Sequence, residues 1–171
     1  MSKPVALRFP LQAMAGPSAD QRQILQFLEV AREHYSNVPL VREWAVSQLG
    51  GVRDNDLFAQ VKAILDSVKK HMVYVRDPVN AEYVISPIQL IQTIMSRGVA
   101  RGDCDDHVML LNSALGSIGF PTKFVGVKFP PGQATEFNHV ISGIIINGQM
   151  FLADPCAKDN NQLVYKDTLT V

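Results

Sequence analysis

Cysteine is scarce in this chain of 171 residues: only Cys104 and Cys156 are present, far apart and in no zinc-like spacing. That excludes the disulfide framework of a small secreted domain and a structural zinc site, and leaves one disulfide open. An excess of one charge sign is equally absent. The 16 Lys and Arg balance 16 Asp and Glu, with no block of like charge long enough to mark a nucleic-acid or anionic-lipid surface. No nucleic-acid partner is therefore expected. Apolar stretches are broken by charge, Gly or Pro within about ten residues, well short of the roughly 20 a bilayer span needs, so no membrane insertion is expected. The opening MSKPVALRFPLQAMAG ends in an Ala-x-Ala-like pattern, but Arg8 and Pro10 split its apolar part. No signal peptide is read, and synthesis in the reducing cytoplasm is expected. The chain carries no repeat, low-complexity segment or internal linker.

What is present is an apolar content of 47%, ordinary for a globular chain of this length, which predicts one domain with a real core. Pro4, Pro10, Gly16 and Pro17 predict an extended N-terminal arm over residues 1–17, followed by a single domain over 18–171. Ser18 and Gln21 suggest a capping box for a helix ending near Ser36. Pro39 opens a short helix to Leu49. Asp54 is expected to cap the next helix, in which Leu57, Val61, Ile64, Leu65, Val68 and Met72 follow helical spacing. Ser86-Pro87 starts another, ended by Gly98, and Asp103 caps a further helix whose apolar face stops at Gly119. From Lys123 the period becomes that of strands, over 123–128, 139–146 and 149–154, with Asn147-Gly148 as the hairpin turn. Helices first and antiparallel strands afterwards predict an α+β fold.

A two-residue turn at Asn147-Gly148 pairs Ile146 with Gln149, so Ile141 faces Asp154 and His139 faces Cys156. His139 and Asp154 then lie diagonally on one sheet face, within reach of an imidazole–carboxylate hydrogen bond. The helix beginning at Cys104 is the most apolar candidate to cover that face. Its first turn would bring a thiol to the imidazole and carboxylate, which makes a nucleophile, a general base and an orienting acid. Unpaired N–H groups at the helix start favour a thiolate and a developing oxyanion, and the N–H of Cys104 is one donor for it.

The blocks Gly102-Asp103-Cys104-Asp105-Asp106, Gly119-Phe120-Pro121-Thr122-Lys123-Phe124-Val125, His139-Val140 and Leu152-Ala153-Asp154-Pro155 resemble the transglutaminase-like superfamily of cysteine enzymes. The resemblance extends upstream through His71-Met72-Val73-Tyr74-Val75 and Asp77-Pro78. It covers about residues 54–156, is strongest over 101–156, and looks most similar to short bacterial and tailed-phage members. It implies a papain-like core, with the nucleophile-bearing helix packed on an antiparallel sheet. Cys104 would be the nucleophile, His139 the base and Asp154 the residue that orients it. The activity implied is thiol-dependent acyl transfer on an amide, by a cysteine peptidase or amidase, with hydrolysis favoured over crosslinking. A peptide or protein substrate follows, including a peptidoglycan peptide, and the phage likeness implies tail or virion proteins as partners and virion association. The alternative is a non-catalytic module of the same fold serving assembly or binding.

Asp103, Asp105 and Asp106 suit a helix start by capping and dipole, yet carboxylates beside Cys104 oppose thiolate formation. Together with Glu82 and Tyr83 they are the candidates for substrate-binding and oxyanion walls. With His107 the aspartates would make a hard-metal site, but groups crowded into one helical turn cannot all converge, so no metal or cofactor is assigned. Cys156 is read as a passive core residue, with a second thiol near the site or a resolving cysteine as its other readings. Trp44 is read as packing, and His34 and His71 as histidines favoured at helix ends. The loop over 130–137 is read as a substrate-facing rim.

Overall fold

The computed structural model describes residues 7–8, 17–77, 83–130, 133–158 and 168–171, with side chains from Gln21 onward. Helix α1 (Pro17–Ser36) begins at the proline itself, which fits the first helical position, so the helix takes one residue that the sequence assigns to the arm. Side chains of its first turn, and the capping box expected there, lie outside the described residues. Helix α2 (Pro39–Gln48) also starts on a proline and buries Val41, Trp44 and Ala45. Helix α3 (Leu57–His71) is capped by Asp56, whose carboxylate accepts from the Ala59 N–H at 3.0 Å. Asp54 is therefore not the cap. It falls two residues too early and offers its backbone carbonyl to the Gln60 side chain at 2.8 Å.

Strand β1 (Leu7–Arg8) pairs antiparallel with β3 (Tyr83–Val84). Strand β2 (Met72–Tyr74) pairs in parallel with β4 (Ala100–Gly102), the two flanking helix α4 (Pro87–Arg97) in the chain. The antiparallel expectation thus holds for the main sheet and fails here. Ser86 caps α4 by accepting from the Gln89 N–H, and Gly98, at φ 82°, closes it in the left-handed conformation.

Helix α5 (Cys104–Ser117) is buried on nearly every side. It packs against α1, α2 and α3 and against the main sheet, so it acts as the axle of the fold. Leu110, Leu111 and Leu115 lose all contact with solvent, each contributing about 1.5–3 kcal/mol of apolar burial. The main sheet runs β7 (Gln149–Ala153), β6 (His139–Ile146), β5 (Thr122–Val127), β8 (Thr168–Leu169), antiparallel throughout. Asn147, at φ 52°, and Gly148, at φ 78°, form the expected turn, and Ile146 pairs with Gln149 as the turn requires.

The ladder stops at Ser142–Ala153. Asp154 leaves it in a turn closed by its own carbonyl, which accepts from the Ala157 N–H at 3.2 Å, so Cys156 is not the cross-strand partner of His139. The face that α5 covers also differs from expectation. Asn112 on α5 donates to the Lys123 carbonyl at 3.1 Å and its side-chain oxygen accepts from the Ser142 hydroxyl at 2.5 Å, while Ile144 and Ala153 join the cluster around Leu110 and Leu111. The helix therefore lies on the Ser142 face, and Val125, Val127 and Ile141 form a separate cluster on the other. Polar Asn112 fixes this choice, because a buried amide requires partners and both strands supply them.

Candidate active site

His139 is the first residue of β6 and Asp154 the first after β7, so both stand at the open end of the hairpin. There the imidazole Nε2 and the Asp154 carboxylate meet at 2.8 Å, with Asp154 buried and His139 mostly so. The other Asp154 oxygen accepts from the Cys156 N–H at 2.8 Å, which holds the carboxylate in place. With Nε2–H given to Asp154, the unprotonated Nδ1 is the nitrogen left to act as a base.

Cys104 is the first residue of α5. Asp103 caps the helix by accepting from the N–H groups of Asp105 at 3.1 Å and Asp106 at 3.5 Å, while Asp106 returns the bond to the Asp103 N–H at 3.2 Å. The N–H of Cys104 has no acceptor within the helix and remains available. The thiol donates to Asp105 at 3.6 Å, and the Val140 N–H, one residue along from His139, lies close enough to favour its ionised form. First turn and hairpin end are thus brought together over the edge of the sheet, even though the body of α5 lies on the opposite face from the one expected.

Electrostatics here oppose a resting thiolate. Burial, then the carboxylates of Asp105 and Asp103, push the Cys104 thiol well above its ordinary value, and the Val140 N–H acts in the other direction. Burial likewise drives the Cys156 thiol far up, as an inert thiol requires.

The remaining candidates separate. Asp106 is fully buried and ties three segments together: one oxygen accepts from the Ile85 N–H at 2.7 Å, the other from Asp103. Both its oxygens are thus committed to backbone donors. Gly102 must be glycine for this, since a Cβ there would collide with the Asp106 carboxylate. Burial raises the Asp106 carboxyl to about 8. His107 is buried too, with Nδ1 2.7 Å from the Asp103 carbonyl and a further bond to the Met72 backbone, and burial lowers its ionisation. Asp103, Cys104 and Asp105 do offer ligand-type atoms within 4.8 Å of one another. Asp106 and His107, however, are committed elsewhere, so the four groups of the metal alternative do not converge. Tyr83 is half-buried in β3, paired with Arg8 and with its N–H donated to Asp77. Glu82 lies outside the described residues, as do Pro131 and Gly132 of the 130–137 loop.

Two neighbours went unassigned in the sequence. Tyr74, half exposed on β2, pairs with Gly102 and is close enough to Cys104 for their charges to interact; its phenol bonds Arg76. Phe129 stacks at 5.4 Å, tilted, on the His139 ring and is tethered through both backbone groups by the Asn138 side chain, at 2.8 and 2.7 Å. The aromatic residue in the Tyr74 position, two before Arg76, was the available signal for the first.

No known protein family matches the chain, and no curated protein does. Among solved structures it is similar to a candidate cysteine protease from Cytophaga hutchinsonii, with a TM-score of 0.50 and 20% identity over 67% of this chain. The chain spans 36% of the length of that protein. The fold is thus mixed α and β and cysteine-protease-like. Among the described residues no helix is long and apolar enough to cross a membrane.

Proposed function

We propose that this protein is a thiol-dependent amidase or peptidase of the transglutaminase-like superfamily, with Cys104 as nucleophile, His139 as base and Asp154 as its orienting partner. The observation that carries this is the 2.8 Å bond from His139 Nε2 to Asp154, formed one residue from the Val140 N–H whose field reaches the Cys104 thiol. Because the resting thiol is neutral, proton transfer to His139 Nδ1 accompanies attack on the carbonyl carbon rather than preceding it. The tetrahedral oxyanion takes the Cys104 N–H, and collapse returns the proton to the departing amine. Water then attacks the thioester and releases the acid. Phage-tail or peptidoglycan-directed roles belong to this proposal through the resemblance of the motifs alone.

The test is labelling by a peptidyl acyloxymethyl ketone in a Cys156→Ser background, read by intact mass. A single adduct at Cys104, lost in Cys104→Ala and slowed at least tenfold in His139→Ala, is the expected result. Labelling indifferent to His139 would overturn the proposal. It would favour the non-catalytic module, which the Asp105-bound neutral thiol also fits.

A further inference from the structure

The small β2–β4 sheet shows two unlike faces. Met72, Ala100 and Gly102 are buried on one, with Tyr74 at the rim of the candidate site. Val73, Val75, Val99 and Arg101 alternate onto the other, and the parallel register sets Val73 beside Arg101. Val73 is 45%, Val75 46% and Val99 43% exposed, a contiguous apolar stripe rather than scattered side chains. His71 Nδ1 lies 2.8 Å from the Gly98 carbonyl, which fixes the end of α3 against the end of α4 and so sets Lys70 and Arg97 on the border of this stripe. Segments 69–76 and 97–101 contain five Lys or Arg and no Asp or Glu, in a chain whose net charge is zero. Among the described residues Lys70, Arg97 and Arg101 have no carboxylate within ion-pair distance.

We propose that this outer face is a docking surface for an extended acidic segment of a partner protein. Its apolar side chains cover Val73, Val75 and Val99 while its carboxylates meet Lys70, Arg97 and Arg101. The cations stand beside and around the valine stripe, so they complement carboxylates that flank an apolar stretch of an extended segment. Single-stranded nucleic acid is disfavoured because the face offers no aromatic platform for a base. A bilayer is disfavoured because three-residue strands present no amphipathic helix to lie in it. The face points away from Tyr74, so docking here is separate from thiol chemistry.

Fluorescence anisotropy of a labelled peptide with a short valine run flanked by glutamates, added to the full chain, tests the proposal. Binding that weakens with salt and falls about tenfold or more in Arg97→Glu/Arg101→Glu is expected for charge-steered docking. A Val73→Ser/Val99→Ser variant should also bind more weakly, with both variants keeping the wild-type melting temperature within a few degrees. Cys104→Ala should bind as wild type, which keeps this proposal distinct from the enzymatic one. No binding, equal binding of the lysine–valine counterpart, insensitivity to the charge reversal, or tighter binding of an oligonucleotide or of phosphatidylglycerol vesicles would overturn it.

Discussion

Asp106 makes stability fall as pH rises through the neutral range, opposite to the usual behaviour of a hydrogen-bonded carboxylate. In the unfolded chain its pKa is about 3.9. In the folded protein burial holds it near 8, against the opposing effect of the Ile85 and Asp103 N–H groups. The folded state therefore keeps a proton that the unfolded chain releases. Below pH about 4 both states are protonated and there is no penalty; above about 8 both are ionised and the penalty is complete. Between pH 5 and 9 this group alone removes roughly 4 kcal/mol, or on the order of 10 °C in melting temperature for a chain of this size.

Asp106→Asn isolates the effect. The amide oxygen can keep the Ile85 N–H, but its nitrogen then faces the Asp103 N–H, leaving a buried donor unpaired at a cost of about 1–3 kcal/mol. The variant should be less stable than wild type at pH 5 and equal to it or more stable at pH 9, so the two curves cross. Urea unfolding at constant ionic strength across that range measures it, and contributions from other titrating groups cancel in the difference. Wild-type and variant curves that stay parallel would refute the reasoning, since Asp106 would then ionise alike in both states.

Asp154→Asn should slow labelling of Cys104 by about a hundredfold or more, because the amide nitrogen facing His139 Nε2 favours the tautomer that puts the proton on Nδ1; thermal unfolding should change little, since the Cys156 N–H keeps an oxygen acceptor. Asp56→Ala should cost about 1 kcal/mol in urea unfolding by loss of the α3 cap, whereas Asp54→Ala should leave the midpoint unchanged.

The readable parts of this chain were those whose signal is local. Asn147-Gly148 dictates one turn, the turn dictates the register, and the register brings His139 within reach of Asp154. Asp103 after Gly102, with the apolar face of Val108, Leu111 and Leu115 behind it, marks α5 equally clearly. The unread parts depend on distant partners. Strands β2 and β4 are three residues each, too short for a period, and pair only because α4 returns the chain to the same place. The face that α5 covers was misjudged because apolar residues occupy both faces of β6, and the deciding group is a single amide, Asn112, whose partners on β5 and β6 no spacing reveals. Asp54 and Asp56 offer the same side chain; only the position of the first helical turn distinguishes them.

The same residues that build the start of α5 also set the chemistry open to Cys104. A helix N-terminus needs acceptors for its free N–H groups, and here Asp103 and Asp106 supply them in a reciprocal box. Both acceptors are acids, so the positive end of the helix, which elsewhere stabilises a thiolate, is largely offset. Asp106 relieves part of this by staying protonated near neutrality. Under the proposed mechanism the thiol stays neutral until His139, held by Asp154, takes its proton during attack on a substrate carbonyl. Cysteine at this position is thus joined to its base by geometry rather than by a standing ion pair, and the hairpin end that fixes this geometry is the part of the fold on which the proposed activity depends most.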